Sequence, residues 1–173
     1  MHLARAAALS LAVALAVAFP ADAHAGATLA LSAGVGGQTA PSQRMPTNVM
    51  LAPGYALGPI RAELGFVTAL SDVPSPMTGK TSTELELRPM LVIAPPVSPL
   101  YGRVILAATN LVNGPRDVAY GGALGLSFGM LGANVFVEAG GLPRSVSVPQ
   151  ASGGTKDEIR WVVEGRLGAG YAF

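Results

Sequence analysis

Ten ionisable side chains sit at alternate positions within apolar-rich segments of this chain, and their types define the chemistry on offer. They are Arg61, Glu63, Glu84, Glu86, Arg88, Arg103, Glu138, Arg160, Glu164 and Arg166. Glu84 and Glu86 share a face at strand spacing. With Glu63 or Glu138 they could supply the oxygen ligands of a cation site or a pair of catalytic carboxylates. The plainer reading is mutual ion pairing, because the five carboxylates in this set are matched by five guanidiniums and leave no local excess of negative charge to hold a metal. No metal site and no cofactor is expected on that balance.

Acid–base or nucleophilic catalysis near neutral pH relies most often on an imidazole. Both histidines, His2 and His24, lie within residues 1–25, and the chain has no cysteine. An enzyme is therefore not expected. Two motif-like stretches fail on inspection. Thr78-Gly79-Lys80-Thr81 ends like a phosphate-binding loop, but Pro74 occupies the earlier glycine position. The pairs Gly34/Gly36 and Gly168/Gly170 open a dinucleotide fingerprint whose third glycine is replaced by Thr39 and Phe173. A net charge of +1 without a basic stripe argues against a nucleic-acid partner.

The elements that must carry the ten charges are strands. Residues 1–25 read as a cleaved signal peptide: Arg5, an apolar run over residues 6–19, and the small-residue site Ala23-His24-Ala25. The domain is then expected over residues 26–173. It contains no apolar run of the roughly 20 residues a spanning helix needs, although half of all residues are hydrophobic. Period-two alternation predicts eight strands instead, over residues 26–35, 48–57, 60–70, 83–93, 100–110, 118–128, 133–141 and 157–173. Pro53 and Pro89 fall inside two of them, and a bulge is expected near Pro53-Gly54.

The connections alternate in length. Long polar loops are expected over residues 36–47, 71–82 and 142–156, with a weaker one over 111–117; short turns are expected at Gly58-Pro59, 94–99 and Leu131-Gly132. In every strand, the last one counted after Glu158, the charges share one face and Leu, Val, Phe and Trp the other. A charge on the lipid face of a membrane barrel costs about 2–4 kcal/mol for Lys or Arg near the midplane, whereas the lumen tolerates charges that pair. The expected fold class is thus all-β: a closed eight-stranded antiparallel transmembrane barrel, an up-and-down meander with its charges inside. Tyr55, Tyr120, Trp161 and Tyr171 are expected as membrane-interface aromatics.

The last strand carries a family resemblance. Trp161-Val162-Val163-Glu164-Gly165-Arg166-Leu167-Gly168-Ala169-Gly170-Tyr171-Ala172-Phe173 ends in an aromatic residue preceded by apolar residues at alternate positions. Together with the signal peptide and eight strands, it resembles the small outer-membrane β-barrels of Gram-negative bacteria, the OmpA transmembrane domain and OmpX-like group. The resemblance implies an outer-membrane location among lipid and lipopolysaccharide. It also implies that Tyr171 and Phe173 act as an assembly signal for the barrel-assembly machinery. It leaves the role among structural, adhesive, narrow-pore and enzymatic members open.

Three functions follow. The first is a structural or surface-interaction protein working through its long loops, with the lumen plugged by Arg/Glu salt bridges and the extracellular partner unidentified. The second is a narrow ion-conducting pore through the same charged lumen. The third, which alternation alone permits, is a soluble periplasmic ligand-binding barrel with the apolar faces turned inward.

Overall fold

Alternation of side chains builds the molecule, because each strand has one face that can be buried and one that cannot. The computed structural model describes residues 25–39, 42–44, 47–69, 85–96, 98–109, 117–149 and 154–173. Except for Ala25, the expected signal peptide lies outside the described residues. So do the expected loop over residues 71–82, with its Thr78-Gly79-Lys80-Thr81 stretch, and Glu84.

The described residues form nine strands: β1 (Gly26–Thr39), β2 (Ser42–Arg44), β3 (Asn48–Leu57), β4 (Ile60–Ala69), β5 (Leu85–Ile93), β6 (Leu100–Thr109), β7 (Asp117–Met130), β8 (Ala133–Pro149) and β9 (Thr155–Ala172). Eight of them, β1 and β3 to β9, pair antiparallel with their sequence neighbours, and β9 returns to pair with β1. The sheet is a closed eight-stranded barrel, an up-and-down meander. β2 is a short strand folded back on residues 37–39 of β1.

Short connections gather at one end. Gly58 (φ 59°) turns β3 into β4, and Leu131 (φ 57°) with Gly132 (φ 83°) turns β7 into β8. The positive φ at both Leu131 and Gly132 matches a two-residue type I′ hairpin, whose twist follows that of the strands. The ends of the described chain meet there too: the Phe173 amide donates to Ala27 O at 2.9 Å, and the Ala172 amide to Gly132 O at 2.8 Å.

At the other end the sequence reading needs two corrections. Residues 36–39 are not loop but the last part of β1. Residues 142–149 and 155–156 are not loop either: β8 and β9 stay in register out to Pro149↔Thr155. Beyond Gly141 β8 has no partner in β7, and beyond Gln38↔Val162 β9 has none in β1. From Pro143↔Trp161 outward the two strands pair, among the described residues, only with each other, as an arm of about 20 Å at 3.4 Å per residue. Pro143 and Pro149 look like loop markers, but a proline fits an edge strand when its nitrogen faces the unpaired side. There it removes a donor from an edge open to pairing with another chain.

Pro53 brings a third correction. No bulge forms, because Leu51↔Phe66 and Gly54↔Glu63 lie in one register with two residues of each strand between them. The ladder simply lacks those two rows, as it must where proline has no N–H to give. Pro89 repeats the pattern on the next seam but one: it stays paired with Leu64 of β4, but β5 and β6 skip from Leu87↔Ala108 to Met90↔Ile105.

Outward-facing residues are apolar: Leu31, Val104, Tyr120, Leu124, Val135 and Leu167 are all exposed. The inward face holds Glu63, Arg88, Arg103, Glu138, Glu164 and Arg166, each at most 8 % exposed. The lumen is less polar than a charge plug alone would make it. Met50, Val67, Met90, Val92, Ile105 and Phe136 are buried beside the charges. An eight-stranded barrel has an interior just wide enough for side chains to fill, and here polar and apolar groups divide it.

Candidate functional site

Two ion-pair clusters occupy the lumen, each assembled from residues that alternation turns inward on different strands. In the first, nearer the short turns, Arg61 of β4 donates from Nε to Glu63 Oε1 at 2.5 Å. Arg103 of β6 lies between two carboxylates, with Nη2 3.0 Å from Glu63 Oε2 and Nη1 donating to Glu138 Oε1 at 2.8 Å. The Tyr101 hydroxyl donates to Glu138 Oε2 at 2.7 Å. Above these groups the Arg103 guanidinium stands 5.7 Å from the ring centroids of both Tyr101 and Phe136, within cation–π range.

The second cluster lies farther from the short turns. Arg88 of β5 donates from Nε to Glu86 Oε1 at 2.5 Å and from Nη1 to Glu164 Oε2 at 2.7 Å. Arg166 Nη2 donates to Glu164 Oε1 at 2.6 Å and to Asn48 Oδ1, while Asn48 Nδ2 donates to Glu164 Oε1 at 2.6 Å. Arg144 Nη2 donates to Glu86 Oε2 at 2.6 Å. Glu164 thus accepts from three side chains on β3, β5 and β9. Such density of partners is what a buried charge needs, since desolvation otherwise outweighs the Coulombic gain.

Small residues give the long side chains room. A Cβ added at Gly34 would lie 2.8 Å from Glu164 Oε1 and 3.0 Å from Arg166 Cζ. One added at Gly125 would meet the Tyr101 ring, 2.6 Å from Cε1. Both glycines are lumen positions where a larger residue would displace an ion-paired or hydrogen-bonded group.

The structure places Arg61, Glu63, Arg103 and Glu138 together, and Glu86, Arg88, Glu164 and Arg166 together. Arg160 lies apart from both and pairs with Glu158 at 3.4 Å. No acidic cluster suited to a metal occurs among the described residues. Sequence reasoning missed Arg144, Tyr101 and Asn48. Arg144 was assigned to a loop, yet it shares the parity of Glu138 and Leu142, and extending that alternation past Pro143 would have found it. Tyr101 shares the parity of Arg103, which turns it inward, but nothing in the sequence marks Glu138 as its partner. Of the expected interface aromatics, Tyr55 and Tyr171 face outward near the short turns, and Tyr120 and Trp161 face outward toward the opposite end. Tyr171 and Phe173 meet edge-on with centroids 5.0 Å apart.

No protein-family model matches the chain, and no curated protein matches it. Solved structures do. The crystal structure of Neisserial surface protein A superposes with a TM-score of 0.55 at 11 % identity, over 85 % of this chain and 96 % of that one. The N-terminal β-barrel domain of Pseudomonas aeruginosa OprF gives 0.51 at 13 % identity, over 87 % of this chain and all (100 %) of that one. The chain shares the eight-stranded barrel fold of these two structures. At such identities it is the fold that is shared.

Proposed function

We infer that this chain is an integral outer-membrane β-barrel protein with a structural or surface-interaction role, carried by the end of the barrel opposite the short turns. The observation that carries this reading is the division between faces. The outside presents Leu, Val, Ile, Tyr and Trp to the surroundings, while the Arg and Glu side chains are turned into the lumen. A soluble barrel would need the reverse, because burying paired charges while wetting Leu124 and Leu167 forfeits the hydrophobic effect. In a bilayer the same arrangement is stable.

The projecting β8–β9 arm and the strand β2 lie at the end where surface contact would be made. Tyr171 and Phe173, at the short-turn end, suit recognition by the barrel-assembly machinery, and lipid with lipopolysaccharide would surround the apolar belt. The filling of the lumen by Met50, Val92, Ile105 and both ion-pair clusters supports a plugged barrel over a conducting one. No catalytic step forms part of this reading.

Membrane fractionation tests it. The protein is expected in the outer-membrane fraction, released by detergent and not by osmotic shock, with a gel mobility that changes on heating. Release by osmotic shock alone would favour the soluble barrel. Single-channel recording of refolded protein is expected to show no conductance; steady openings, lost in Glu86→Gln, would establish the pore instead.

A further inference from the structure

The short-turn mouth of the lumen opens into a cavity of about 90 Å³, lined by Thr28, Arg61, Glu63, Ser98, Tyr101 and Asn134 among others. A cavity needs only about 10–15 Å³ of such space to hold one water, so this one has room for several waters, or for one carboxylate or phosphate group in their place. Its lining is unevenly used. The Tyr101 hydroxyl is spent on Glu138, and Glu63 is engaged by Arg61 through Oε1 and faces Arg103 through Oε2.

What remains is mostly donors. Arg61 uses only Nε, toward Glu63, and its two terminal nitrogens have no hydrogen-bond partner among the described residues. Its side chain is 24 % exposed, the most open of the first cluster. Thr28 Oγ1 is enclosed and has no hydrogen-bond partner among the described residues. The hydroxyl oxygens of Ser98 and Ser127, which also lines the cavity, accept from the Leu100 amide and Asn134 Nδ2, leaving both hydroxyl protons to give. Arg61 shares its carboxylate partner, because Glu63 also faces Arg103, although Arg103 has Glu138 as a second partner and the four charges of the cluster balance.

We propose that this cavity is a receptor for a small oxyanion, the carboxylate or phosphate group of a molecule entering from the short-turn end. Arg61 supplies the charge and the planar pair of donors that such groups match, and Thr28, Ser98 and Ser127 supply the neutral hydrogen bonds. The site is separate from the opposite end of the barrel, where surface contact was placed, and does not depend on what that end meets.

The test uses refolded protein in detergent micelles, titrated with sodium acetate and with sodium phosphate. A separate arm uses micelles carrying phosphatidylglycerol, and every arm is compared with sodium chloride at matched ionic strength. The Arg61 Nε–Hε and Thr28 amide resonances are followed by NMR. Saturable shifts with acetate or phosphate, absent in chloride, are expected, with binding about tenfold weaker in Arg61→Gln, as loss of a charged donor implies. Saturation only in the phosphatidylglycerol arm would support the same chemistry and name a lipid headgroup as its source. Shifts that never saturate, that chloride reproduces, or that Arg61→Gln leaves unchanged would overturn the proposal. Should Arg61→Gln not fold, Ser98→Ala, which removes no ion-paired group, is expected to weaken binding, and the chloride comparison on the native chain still decides.

Discussion

Arg88 and Glu164, 76 residues apart in sequence, meet across the lumen at 2.7 Å. That pairing joins β5 to β9 through the barrel interior, at right angles to the backbone ladder that joins each strand to its neighbours. Arg103 does the same on the other side, reaching Glu63 of β4 and Glu138 of β8. The barrel is therefore held twice, around its wall and across its middle.

Arg103→Met is expected to destabilise the barrel by about 3–5 kcal/mol, because it leaves Glu63 and Glu138 buried without their shared cation. The double variant Arg103→Met/Glu138→Gln removes the cation and the carboxylate that has no other cation, leaves Glu63 paired with Arg61, and is expected to recover much of that loss. Denaturant unfolding of protein refolded into lipid vesicles would measure both. Equal stability of Arg103→Met and the native chain would show that the cluster contributes nothing.

Leu124 stands on the outer face, 73 % exposed, beside Gly102 and Ala139. Leu124→Arg is expected to cost about 2–4 kcal/mol in a bilayer, with Leu124→Ile near neutral. The readout is the fraction of heat-modifiable, folded protein after refolding into vesicles. Full tolerance of the arginine would contradict a lipid-facing position.

Leu131 occupies the left-handed region at φ 57° and is 85 % exposed. That conformation costs an L-residue with a Cβ roughly 1–2 kcal/mol, whereas Asn is the preferred first residue of a type I′ turn followed by glycine. Leu131→Asn is expected to raise stability by about 1 kcal/mol, seen as a higher denaturant midpoint with unchanged slope. No change would mean that the exposed leucine makes up the difference through apolar contact at the barrel rim.

Gly125 is the position where added volume meets the Tyr101 ring. Gly125→Val is expected to cost about 1–3 kcal/mol by overpacking, and Gly125→Val/Tyr101→Ala to regain part of it. Comparing the two unfolding midpoints checks whether the ring is the obstacle.

Much of the wall was legible because alternation is a local property. The faces of β1 and β3 to β9 follow from counting by two, and the long and short connections set which end is which. The arm was hidden by its own prolines: Pro143 and Pro149 break the usual strand pattern only where a donor would be needed, and edge strands need none on their open side. The bulge expected at Pro53 failed for a related reason, since a lost hydrogen bond does not require a lost register. Membership of the two clusters was not legible at all. Parity turns Arg88 and Arg103 inward, but which carboxylate each reaches depends on the stagger of strands around the barrel, which the sequence does not display.

The two interrupted seams have a mechanical side. Pro53, Leu64 and Pro89 fall in one outward-facing row, and by register Leu106 continues it. The carbonyls that would accept from Pro53 and Pro89 find no N–H there, on the two flanks of the same β4–β5 ribbon and at the same height. A hoop whose links are all bonded resists flattening equally in every direction. This hoop lacks bonds on both flanks of the β4–β5 ribbon, where Arg88, reaching from β5 to Glu164 on β9, supplies a tie across the lumen instead.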